Sequence, residues 1–179
     1  MPTAKLVFIT FLAMVAFAGN SLLCRMALAA ETIDAASFTS IRLVSGAVTL
    51  GLLVWIRKKT VSMGGNWLSA LALFAYAAAF SFAYLSLTAA TGALLLFGAV
   101  QATMMGYGFW SGERLNLWQI VGFILALAGL IGLLIPGLQA PPLIAGCLML
   151  TAGVAWGMYS LRGRGLGDPT AETAGNFVR

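Results

Sequence analysis

The sequence predicts an all-α integral membrane protein of about six transmembrane helices, and three observations carry the prediction. Apolar residues fill 61% of the 179 positions and charged residues only 8%, where a soluble domain carries about 25% charged residues. The mean hydropathy is +0.97. The few charges also cut the chain into uncharged runs long enough for one or two bilayer crossings. Ten Lys+Arg and five Asp+Glu, with no histidine, cannot cover a water-facing surface. This excludes a cytosolic enzyme, a nucleic-acid binder and a disordered chain, and leaves the bilayer as solvent. The short alternating segments of a β-barrel are absent from the sequence, so the spans read as helices.

The first helix is placed near 5–27 by the uncharged run from Leu6 to Cys24, bracketed by Lys5 and Arg25. That run is long for a signal peptide, and Arg25 interrupts the approach to a cleavage box at Ala27-Leu28-Ala29. The second, 35–56, is interrupted only by Arg42 and stops at Arg57-Lys58-Lys59. Residues 60–112 and 115–161 are each uncharged and too long for one span. The first run breaks at the small polar residues Ser86, Thr88, Thr91 and Gly92, giving helices near 67–87 and 92–110. The second breaks at Pro136-Gly137 and Pro141-Pro142, giving 116–136 and 142–161. From Arg162 the composition turns to Gly-Arg-Gly-Leu-Gly-Asp-Pro, read as a polar connector; it follows a membrane helix rather than a strand and so is not a phosphate loop.

With the N-terminus inside, Lys5, Arg57, Lys58, Lys59, Arg114, Arg162 and Arg164 face the cytoplasm and Arg25 alone faces out. The bias of seven against one predicts a multi-pass protein of the cell membrane, a bacterial inner membrane, with its N-terminus in the cytoplasm. Laid on 150–179, residues 13–42 match Ala18 with Ala155, Arg25 with Arg162 and Arg42 with Arg179. The match begins after five spans, an odd number, so the repeat is expected to be inverted in the membrane. The domains expected are one five-helix repeat over 1–138 and the truncated start of a second over 139–179, holding the sixth helix and the connector.

Several motifs resemble the EamA family of the drug/metabolite transporter superfamily. Gly112-Glu113-Arg114-Leu115 matches that family's GE-R/K-L junction after the fourth helix, and Gln119, Gly122 and Ala128-Gly129-Leu130 match its fifth span. Asp34 to Arg42 resembles the entry to its second helix, and the stretch from Leu150, with Trp156-Gly157, the start of its second domain. The resemblance implies ten helices in two inverted five-helix repeats and the import or export of small metabolites or drugs by alternating access. Where many relatives place a proline midway along the fourth helix, this chain has Gln101-Ala102-Thr103.

The residues offer transport something and catalysis little. All five acids fall at helix ends or in loops and none pairs within a span, so neither acid–base nor metal chemistry is expected, nor any cofactor. Proton coupling through a buried carboxylate is likewise unsupported, unless Glu31 or Glu113 lines a water-filled vestibule. Cys24 and Cys147 read as packing residues. Arg42 sits roughly 10 Å into the second helix at 1.5 Å per residue. It reads either as an anion-attracting group in a transport path or as an arginine that snorkels outward or pairs with Asp34. Asn20 and Gln101 are midspan amides that either bond another helix or line a cavity. Tyr84 is a further candidate whose alternative is the interfacial aromatic belt, where Trp55, Trp67, Trp110 and Trp118 also belong. Trp156 lies deeper. Small residues four apart, as at Ala75/Ala79/Ala83, Gly98/Ala102/Gly106, Gly122/Ala126, Ala128/Gly132 and Gly153/Gly157, supply close helix packing.

The substrate-binding candidates are therefore Asn20, Arg42, Tyr84 and Gln101. The expected partners are the bilayer, a small-molecule solute and a second copy or a complementing chain, with no nucleic acid. The leading expectation is a permease; its alternative is an accessory or truncated membrane protein without transport of its own.

Overall fold

The computed structural model describes residues 3–30, 32–58, 64–114, 116–134, 141–165 and 167–179. Among them the chain forms seven helices and no strand: α1 (Thr3–Ala29), α2 (Ala35–Lys58), α3 (Trp67–Ala83), α4 (Ala89–Trp110), α5 (Leu117–Leu134), α6 (Leu143–Arg162) and α7 (Pro169–Val178). Four of these, α1, α2, α4 and α6, are long and apolar enough to cross a membrane; α3 and the described part of α5 are shorter apolar helices. The expected all-α membrane architecture is what the chain adopts.

Local chemistry sets the helix ends. Asp34 Oδ1 accepts from the backbone N–H of Ala36 and Ser37 and starts α2. Asn66 caps α3 through Ser69 N–H, and Thr88 caps α4 through Thr91 N–H. The Thr88 cap starts α4 at Ala89, three residues before the expected position. It follows a turn that ends α3 at Ala83 rather than 87, where Tyr84 N–H bonds Phe80 O and Ser86 N–H bonds Ala83 O. Gly112, at φ +85°, makes the turn out of α4, a left-handed conformation that a side chain would strain. Pro136-Gly137, the expected break before α6, lies outside the described residues, as do Glu31, Lys59 and Leu115.

The second half of the expected connector is instead helix α7. Asp168 Oδ1 accepts from Thr170 and Ala171 N–H, Pro169 stands in the first turn and Glu172 adds a negative charge there. An N-cap, an early proline and an early acid together outweigh the polar composition of the segment. At ten residues and about 1.5 Å per residue, α7 reaches only half the thickness of a bilayer.

Helix α6 is the centre of the bundle, packed on α3 along one side and α4 along the other, while α2 pairs with α7 and both touch α3. Phe80, Ala83, Tyr84, Met149 and Ala152 are fully buried in this core. Of the expected small-residue pairs, Gly153 and Gly157 face α4: a Cβ on Gly153 would lie 2.6 Å from Leu96 O, and one on Gly157 2.9 Å from Thr103 Cβ. Gly106 and Gly122 have nothing within 4 Å. Helix α1 is held only along its C-terminal half, through Ser21, Cys24 and Leu28; residues 3–16 are exposed on every side. Trp55, Trp67, Trp110 and Trp118 are exposed, as an interfacial belt requires.

Two arginines grip opposite ends of α3. Arg25 Nη1 donates to Tyr84 O at 2.7 Å and Leu85 O at 3.1 Å, at the α3–α4 turn. Arg162 donates to Ser69 Oγ at 3.1 Å and to Asn66 Oδ1 at 3.0 Å, at the helix start. Beside Arg162, residues 64–66 are bound by α7: Gly65 N–H donates to Glu172 Oε2 at 2.6 Å, Asn66 N–H to Asn176 Oδ1 at 2.9 Å, and Arg179 Nη1 to Gly64 O at 2.6 Å.

Candidate functional site

Three polar side chains meet at the middle of the bundle, each from a different helix. Tyr76 stands near the midpoint of α3, 7% exposed. Its hydroxyl accepts from Arg42 Nη2 of α2 at 2.9 Å and from Asn20 Nδ2 of α1 at 3.3 Å. The Arg42 guanidinium lies over two aromatic faces, 4.9 Å from the Phe80 ring centroid and 5.3 Å from that of Tyr76. Those contacts lower the cost of a cation held among membrane helices. Arg42 has not paired with Asp34, whose Oδ1 is taken by the backbone at the start of α2. Its Nη1 is buried and has no hydrogen-bond partner.

An aromatic cage continues from this cluster. Trp156 of α6 packs on Tyr76 at 4.8 Å between centroids and meets Phe17 of α1 edge-on at 6.3 Å; Phe17 meets Phe97 of α4 at 5.8 Å. Phe17, Asn20, Ser21, Tyr76, Leu96, Phe97 and Trp156 line a cavity of about 10 Å³. That is room for about one water molecule, too little for a metabolite.

Of the four residues singled out from sequence, Asn20 and Arg42 are brought together and the other two lie apart. Gln101 is exposed and lines a groove of about 570 Å³ between α4 and α5, with Glu113, Gln119 and Arg164 among its other walls. The groove is much the larger space and sets four polar side chains among mainly apolar walls, whereas the hydrogen-bonded cluster of Asn20, Arg42 and Tyr76 lies elsewhere. Phe97 borders both spaces and separates them. Tyr84 is fully buried; it packs edge-on against Phe80 at 4.7 Å, covers Gly92 and bonds Ala89 O at 3.3 Å. It closes the α3–α4 turn and lines neither space.

Tyr76 is the residue that sequence reading missed, although a signal existed. It stands midway along the alanine-rich Phe74-Ala75-Tyr76-Ala77-Ala78-Ala79 stretch, a phenol too deep for the interfacial belt and in need of a partner there. Among the described residues no group of three or more His, Cys, Asp or Glu side chains is placed to hold a metal.

The model of the EamA-like transporter family matches residues 4–135, which take in α1 to α5. The chain is 56% identical over 180 residues to an uncharacterized protein of Pseudomonas aeruginosa, an alignment covering all of this chain and 63% of that protein. The chain thus spans less than two thirds of the length of this curated relative. No solved structure matches it. With apolar helices of spanning length and a family match over most of its residues, this multi-pass membrane protein belongs to the EamA-like transporter family, whose members are transporters and not enzymes.

Proposed function

We propose that the chain forms part of a permease for small metabolites or drugs, with the solute site at the Asn20–Tyr76–Arg42 cluster. The observation that carries this is the convergence of three polar side chains from α1, α2 and α3 beside an aromatic-walled cavity. Transporter sites lie at such midplane junctions between helices. Since the cavity holds only about one water molecule, loading requires the helices to part, as alternating access demands. Residues 1–138 are the first repeat of this permease and 139–179 the start of an inverted second. In support, Arg25 and Arg162, equivalent in the sequence repeat, grip opposite ends of the same helix. The protein sits in the bacterial inner membrane with its N-terminus in the cytoplasm, as the basic residues favour. No carboxylate lines the cavity among the described residues, so proton relay through it is not part of the proposal.

A second reading rests on the open faces of α1 and α5: the chain acts as an accessory that a second copy or a complementing chain must complete. Membrane vesicles bearing the protein, challenged with a panel of labelled metabolites, separate the two. The permease admits at least one solute faster than empty vesicles do, and Arg42→Ala abolishes that uptake without lowering abundance. Gln101→Ala reports whether the solute also uses the α4–α5 groove. Uptake of no solute selects the accessory reading, and a loss of uptake in step with abundance makes the cluster a packing element only.

A further inference from the structure

We infer that the solute is a small monoanion, a carboxylate on an apolar or aromatic body, received by Arg42 at its unpartnered Nη1. This rests on the permease reading and adds a substrate class to it. The cluster has donors to spare. Arg42 uses Nη2 on Tyr76 and leaves Nη1 buried without an acceptor. The Tyr76 hydroxyl accepts twice, from Arg42 and Asn20, which leaves its own O–H to donate. Arg42 is not itself a lining residue of the cavity and reaches it through its bond to Tyr76, and the lining offers no carboxylate among the described residues. Aromatic faces balance part of the Arg42 charge, but they give no in-plane acceptor to a guanidinium edge.

A carboxylate supplies what is missing: one negative charge and two acceptor oxygens in the plane that guanidinium prefers. A single arginine balances a single charge, so a phosphate dianion would carry a net negative charge into the bundle and is disfavoured. The apolar walls of the cavity, Phe17, Leu96, Phe97 and Trp156, ask for an apolar body. A cationic amine would face the Arg42 charge, and a neutral amide would leave it uncompensated.

The test uses solutes that share a body and differ in head group: 3-phenylpropionate, 3-phenylpropionamide and 3-phenylpropylamine, with hexanoate, hexanamide and hexylamine beside them. Thermal stabilisation of the whole purified protein in detergent reports binding. The carboxylate of at least one series is expected to raise the Tm, with the matching amide and amine at least about tenfold weaker, the loss of a charge-assisted pair. Arg42→Gln is expected to erase that preference, and Arg42→Lys to restore part of it. An amide or amine that binds as tightly as its carboxylate overturns the class while the permease reading stands. If no carboxylate binds but vesicles take up some other metabolite, the class falls alone. If nothing binds and nothing crosses, both fall. Should Arg42→Gln fail to accumulate, the head-group comparison on the unsubstituted protein decides.

Discussion

Replacing Gly153 by alanine tests whether the α4–α6 contact holds the site. An added Cβ would lie 2.5 Å from Ala99 Cβ, 2.6 Å from Leu96 O and 3.3 Å from Val100 N. Two of these neighbours are backbone, so relief requires α6 to move off α4. Such overpacking costs about 1–3 kcal/mol. Alanine also gains about 1 kcal/mol of helix propensity over glycine, which masks part of that cost. Gly106→Ala on α4 provides the control, since nothing lies within 4 Å of its Cβ position. The propensity gain is common to both variants, so their difference isolates the steric term of about 1–3 kcal/mol. Thermal unfolding in one detergent at one lipid content measures it. For a chain of this size each kcal/mol moves the Tm by about 2–4 °C, so Gly153→Ala should melt about 2–12 °C below Gly106→Ala. Equal melting of the two variants would refute the close approach of α4 and α6, and with it the wall that Leu96 and Trp156 give the cavity.

Two further outcomes follow from the ends of the bundle. The Ser37 side chain and then its backbone N–H, with smaller help from Ala36, hold the Asp34 carboxyl below its usual range. A depressed folded-state pKa gives stability that is present above the unfolded value, about 3.9, and is lost as pH falls through the folded one. Hydrogen exchange in the first turn of α2 should therefore stay slow at neutral pH and quicken in acid below that range. Asp34→Asn should remove this acid dependence while keeping the cap; an unchanged acid profile would show that another group sets it. At the other end, a Cβ on Gly175 would run into Gly64 O, a backbone atom with no room to yield. Gly175→Ala should lift α7 from residues 64–66 and raise their deuterium uptake, and uptake equal to that of the unsubstituted protein counts against the contact.

The fold was legible to the extent that it depends on composition and punctuation. Runs between charges located α1, α2 and α4 to within a few residues, because lipid leaves the backbone no alternative to a helix. Helix α7 was legible in Asp168, Pro169 and Glu172, but its charged, glycine-rich approach matched a connector equally well. The site was half legible. A lone arginine in an apolar helix and a lone asparagine in another each announce a need for a partner, yet not where that partner is. Tyr76 lies 56 residues from Asn20 and 34 from Arg42, and only the packing of α1 and α2 on α3 brings the three together. Gln101 shows the converse: its midspan position was read correctly, but the rotation of α4 about its axis, set by Gly153 and Gly157 across the interface, turns it toward α5.

The same packing says which wall of the cavity can yield. About 10 Å³ admits no carboxylate with a body attached, so the proposed loading requires one side to move. Helices α3, α4 and α6 share the buried core, and α3 is gripped at both ends by Arg25 and Arg162. Moving any of them disrupts close backbone contacts and core side chains at once. Helix α1 contributes Phe17 and Asn20 to the cavity, but its buried anchors are Ser21, Cys24 and Leu28, and the whole of 3–16 is exposed. Swinging α1 outward about its buried C-terminal anchors breaks the 3.3 Å Asn20–Tyr76 bond and two edge-on ring contacts of Phe17, and leaves the Arg42–Tyr76 bond and its aromatic bed intact. In the proposed permease Arg42 is thus seated on the firm side of the site, and the lightly held α1 forms the side that opens.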